Sequence, residues 1–67
     1  MYEIEIVKET DKHTILKGLD NKLAYEANLN RNFNIKHLFN GEYRILTRRL
    51  DKFMSYVRKV TITGKFR

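Results

Sequence analysis

The sequence predicts an α+β domain, a small antiparallel sheet with one amphipathic helix packed on one face, in the order β-β-β-α-β. Three observations carry that expectation. Apolar and polar residues alternate near the amino terminus, as on a half-buried strand. Residues 42–59 carry apolar side chains at helical spacing, with no proline or internal glycine to interrupt them. The chain has 67 residues, too few to build a second core, so 1–67 reads as a single compact domain.

The first strand is expected over residues 2–8, where Tyr2, Ile4 and Ile6 share one face and Glu3 and Glu5 the other. Residues 9–12 are polar and read as a turn. A β-branched and aliphatic run over 13–19 predicts the second strand. Asp20-Asn21 suits a tight turn, after which Leu23, Tyr25, Ala27 and Leu29 alternate with polar or small residues. That alternation predicts a third strand over 23–29, with a helix as the rival reading because Leu, Ala and Glu favour helices.

Residues 30–41 admit two readings. Asn34 can cap one helical turn over 35–39 that Gly41 closes. Alternatively, Asn40-Gly41 is a two-residue hairpin signal. That hairpin would place Ile35 and Phe39 on a face shared with Glu42 and Arg44, so the helical turn is preferred. From residue 42 to 59 Leu46, Leu50, Phe53, Met54 and Val57 form a stripe about 100° wide, the width of a core-facing helix side. The β-branched run 60–63 predicts the last strand.

Charge is unevenly distributed. The formal net charge is +6 at pH 7; residues 1–30 carry a net −2 and residues 31–67 a net +8, with all six arginines in the second part. Polarity of this kind favours an anionic partner. On the expected helix, Arg44, Arg48, Lys52, Ser55 and Lys59 lie opposite the apolar stripe within about 80° of one another. They would form a basic ridge about 22 Å long. A ridge of this kind can follow a row of phosphates, each cation displacing a condensed counterion. A solvated helix face is the bland alternative, although such faces usually mix signs, and here Arg44/Arg48 and Arg48/Lys52 are like-charged pairs. Arg49 flanks the ridge, and Arg31 and Lys36 in the loop extend the candidate surface. Ile45 and Tyr56 border ridge and core; they read as peripheral packing or as an interface strip. Phe33 and Phe39 read as plugs for the open end of the core.

Several chemistries find no support. There are no cysteines, and His13 and His37 are the only histidines, so no metal site and no cofactor are expected. The three glycines lie 23 residues apart and form no phosphate loop. Ser55 is the only serine, and it carries no nucleophile motif. The chain is also too small for an enclosed substrate pocket, so neither an enzyme nor a small-molecule substrate is expected. No stretch approaches the roughly 20 apolar residues of a membrane span, and no signal peptide is recognisable; a cytoplasmic location is expected.

The resulting expectation is a small regulatory binding protein that contacts nucleic acid, duplex DNA above all, through Arg44, Arg48, Arg49, Lys52, Lys59, Arg31 and Lys36. The alternative is an inhibitor or adaptor that docks on an acidic surface of a replication, transcription or defence protein. The proline-free, Asn/Lys/Ile-rich composition would suit a bacteriophage or mobile-element product. A homodimer is compatible with either reading, since small cores gain from association.

Overall fold

The structure, a computed structural model, describes residues 2–66. In chain order the elements are β1 (Glu5–Glu9), β2 (His13–Lys17), α1 (Asn21–Arg31), β3 (Lys36–His37), β4 (Tyr43–Leu46), a 3₁₀ turn (Thr47–Arg49) and α2 (Leu50–Thr63). The four strands form one antiparallel sheet in the order β1-β2-β4-β3. The fold is therefore α+β with a small antiparallel sheet, as expected, but the order is β-β-α-β-β-α and there are two helices.

Alternation along β2 and β4 sets the faces of the sheet. Thr14, Leu16, Tyr43 and Ile45 are buried on one face, and their neighbours Ile15, Lys17, Arg44 and Leu46 are half-buried on the other. Both helices pack on the first face, where Leu23, Ala24 and Ala27 of α1 join Leu50, Phe53, Tyr56, Val57 and Val60 of α2 in one apolar cluster. Among the described residues no helix covers the second face. The β1 strand begins later than expected. Tyr2 and Ile4 pack against the core ahead of it, and an irregularity between Ile6 and Lys8 shifts its register on β2.

The expected third strand is α1. Asp20 caps it by accepting the Leu23 N–H on Oδ1 at 2.7 Å, which satisfies a donor the first turn leaves free. Asn32 closes it in the left-handed region (φ 54°), its N–H reaching the Asn28 carbonyl. The alternation that suggested a strand had no core behind it: Tyr25 and Leu29 are each 65% exposed, while Leu23, Ala24 and Ala27 are buried.

The hairpin prevails over a helical turn at 35–39, in a register one residue away from the one that seemed to exclude it. Lys36 opposes Arg44 and His37 opposes Tyr43. The Leu38 N–H bonds the Glu42 carbonyl at 2.8 Å, and Asn40 and Gly41 take positive φ in a three-residue turn. One step further along the ladder Ile35 falls opposite Ile45. Slipping by one residue exchanges the faces of a strand, so Ile35 joins the core face and the conflict disappears.

The long helix expected over 42–59 is divided. Tyr43–Leu46 is strand, because Tyr43 and Ile45, 3% and 1% exposed, are needed in the sheet core. Thr47 makes the corner: its N–H bonds the Lys12 carbonyl at 3.0 Å, and its hydroxyl donates to the Thr10 carbonyl at 2.7 Å and lies 2.9 Å from the Thr14 hydroxyl. From Leu50 the helix runs past the expected end, and 60–63 is helix rather than strand. Val60 continues the buried stripe at i+3 from Val57, which outweighs the weak β preference of the run. Gly64 (φ 71°) ends the helix with its N–H on the Val60 carbonyl at 2.7 Å.

Candidate functional site

The connection between α1 and β3 builds one wall of a groove. Asn28 holds it by two bonds to Ile35, its Oδ1 accepting the Ile35 N–H at 2.7 Å and its Nδ2 donating to the Ile35 carbonyl at 2.9 Å. Between these anchors Phe33 turns inward, edge-on to Phe53 and Tyr56 with ring centroids 5.6 and 5.8 Å away. Phe33 plugs the core, as the sequence suggested, but Phe39 does not: it sits in the hairpin turn between β3 and β4 and is 87% exposed. Arg31, the last residue of α1, lays its guanidinium 5.7 Å from the Tyr56 ring centre. Across the groove, Arg49 donates to the Asn32 carbonyl and ties the start of α2 to the end of α1.

Three open hollows, of about 480, 360 and 180 Å³, share lining residues and run together along this groove. Arg31 borders all three. Arg48, Arg49 and Lys52 gather at the amino-terminal end of α2, Lys59 stands about two turns along it, and Lys65 lies beyond its end. Among the described residues Asp51 is the only carboxylate lining these hollows. Arg31, Arg48, Lys52, Lys59 and Lys65 are solvent-exposed and Arg49 is half-buried. Phe33 and Tyr56 form the floor but are 5% and 4% exposed, so they offer an incoming molecule little ring surface. The Tyr56 hydroxyl is buried without a hydrogen-bond partner among the described residues.

The straight ridge expected from Arg44 to Lys59 does not exist, because its helix begins at Leu50. Lys52, Ser55 and Lys59 keep the helical row, Arg48 joins them from the 3₁₀ turn, and Arg31 and Arg49 complete the groove. Arg44 and Lys36 leave it. They oppose each other on β4 and β3, on the face of the sheet away from the helices. Ile45 and Tyr56 form no interface strip: Ile45 points into the core from β4, and Tyr56 packs beside the buried stripe of α2. Asn32 was not foreseen as a site residue; an asparagine directly after a helical run is the signal that marks such a left-handed cap.

A second polar cluster lies at the other end of α1. The Tyr43 hydroxyl donates to Asn21 Oδ1 at 2.7 Å. Burial and the nearby Asp20 carboxylate raise the Tyr43 phenol above its ordinary pKa. Burial, Asp20 and then Tyr56 raise that of Tyr2. Each influence disfavours a phenolate, so both groups hold their protons at neutral pH. Among the described residues no group of three or more His, Cys, Asp or Glu side chains is placed to hold a metal ion. No helix there is long and apolar enough to cross a membrane. What the groove offers chemically is a concave row of cations that can neutralise a chain of anions. Comparisons with protein-family models, curated proteins and solved structures gave no match.

Proposed function

We propose that this chain is a small non-enzymatic protein of the cytoplasm that binds nucleic acid, duplex DNA foremost, by its phosphate backbone in the groove between α1 and α2. One observation carries the reading: six cations, Arg31, Arg48, Arg49, Lys52, Lys59 and Lys65, line a continuous groove that holds a single carboxylate among the described residues. Each cation placed on a phosphate releases a counterion, and that release is the main source of sequence-independent affinity. Lys52 and Lys59 are seven residues apart on α2, about 10 Å along its axis. The arginines add bidentate phosphate contacts. The buried rings of the floor favour backbone contact over base stacking, so affinity should depend little on sequence.

Fluorescence anisotropy of a labelled duplex tests this. With four or five phosphates engaged, log K should fall against log salt with a slope of about −4. The double variant Lys52→Glu/Lys59→Glu should weaken binding at least tenfold while leaving the circular dichroism spectrum unchanged. Absence of salt-sensitive duplex binding at low ionic strength rejects the proposal. If a nuclease-treated lysate then yields one stoichiometric acidic protein, and the same double variant releases it, the groove belongs to a protein partner.

A further inference from the structure

We propose that the open face of the sheet is a second phosphate-binding surface, so that one copy of the protein holds two nucleic-acid duplexes at once. The inference rests on the reading of the groove as a duplex site and adds a partner surface on the other side of the molecule. Its basis is the strand register. Lys8 opposes Ile15, Ile15 opposes Arg44, and Arg44 opposes Lys36. A single row across all four strands thus carries three cations in four positions, spanning about 14 Å at the usual strand spacing. Lys8 and Lys36 are exposed and Arg44 is half-buried.

Like charges directly opposite each other destabilise a sheet. The Arg44–Lys36 pair is such a case, and an anion bound over it would remove the repulsion. Beside the pair lies a shallow hollow of about 120 Å³, bordered by His13, Asn34, Lys36, Arg44, Ile45 and Leu46 and, among the described residues, by no carboxylate. Two acids share this face, Glu5, which opposes Lys17, and Glu42, two residues before Arg44; the row of Lys8, Arg44 and Lys36 still carries an excess of cations over its neighbouring acids. Charge complementarity therefore selects a polyanion for this part of the sheet. The groove opens on the helical layer and the row lies on the reverse of the sheet, in a molecule of 30 × 23 × 18 Å. Duplex DNA has a persistence length of about 150 base pairs. A short duplex cannot bend around the domain to touch both surfaces, so two surfaces imply two duplexes.

The test uses a 12-base-pair duplex of arbitrary sequence at low salt. Calorimetric titration should give two duplexes per protein. Beads carrying one duplex should retain a second, fluorescent duplex only when protein is added. Sedimentation under the same conditions should find the free protein monomeric. Lys36→Glu/Arg44→Glu should reduce the stoichiometry to one and retention at least tenfold, with affinity for the first duplex changed less than threefold. Should that variant lose its circular dichroism spectrum, Lys8→Glu/Lys36→Glu, which alters exposed residues only, is expected to act in the same direction. A stoichiometry of one for the unaltered chain, or retention that follows the fraction of dimer, overturns the inference and leaves the groove reading intact. Binding of a poly-glutamate peptide to the row without a second duplex also overturns it. Complete absence of duplex binding rejects the groove reading itself.

Discussion

Two residues are fixed by their surroundings in opposite senses. Gly18 follows β2 with φ +97°, a region that side chains avoid, and the backbone ahead of β1 crosses directly over it. A Cβ there would lie 1.9 Å from the Glu3 carbonyl oxygen. That atom belongs to the main chain and cannot swing aside. Gly18→Ala should therefore lower stability by at least about 2 kcal/mol, the sum of left-handed strain and displaced backbone, read as a lower urea midpoint. Tyr56 presents the reverse case. Its ring is fully engaged with Phe33 and Arg31, but its buried hydroxyl has no partner among the described residues. A buried polar group without a hydrogen bond costs roughly 1–3 kcal/mol. Tyr56→Phe keeps the ring and removes the group, so it should raise the midpoint by up to about 1 kcal/mol and leave duplex affinity unchanged. A fall in stability would mean that a bond to this hydroxyl forms in solution.

At the scale of elements, the caps decided what periodicity left open. Residues 23–29 fit a strand and a helix about equally well by pattern, and Asp20 tips them by capping the Leu23 N–H. Asp20→Ala should cost about 1 kcal/mol and loosen α1 first, seen as faster amide exchange at residues 21–24. Faster exchange spread evenly over the domain would instead place the cost outside the cap. The two amino-terminal strands were legible, the first from alternating residues although β1 itself is exposed throughout, the second from a β-branched and aliphatic run that buries Thr14 and Leu16, and so was the core stripe Leu50, Phe53 and Val57, which has helical spacing. The boundary at Leu46 was not legible, because Leu46 continues the i, i+4 series of the helix while Tyr43 and Ile45 alternate as a strand. Only the neighbouring strand β2 decides between them, and that pairing is remote in sequence. The same uncertainty propagated to the site. Arg48, Lys52 and Lys59 were found because they hold their positions on or beside α2, and Arg31 because it was grouped with Lys36 as a cation of the loop, although it is the last residue of α1. Arg44 was misplaced with the helix it was assigned to, and Lys36 with the hairpin register.

Over the whole molecule, the Asp20 carboxylate at the start of α1 bears on two phenols from different parts of the chain, Tyr2 ahead of β1 and Tyr43 on β4. Both phenols have pKa values raised above the usual value of about 10, first by burial and then by that carboxylate. The sign of the consequence follows from proton counting. As pH rises past 10 the unfolded chain releases its phenolic protons first, so the folded state holds more protons and stability falls with pH. Below pH 10 the contribution is fully present; it is lost as pH climbs through the raised folded values. The phenols' share is isolated by comparison with Tyr2→Phe/Tyr43→Phe, which alters no other titratable group. The double variant should start less stable at pH 8, because the bond from the Tyr43 hydroxyl to Asn21 is gone, and should then lose less between pH 9.5 and 11. Urea midpoints across that interval measure the difference, and parallel curves for the two proteins would show that these phenols are not held beside Asp20 in the folded chain.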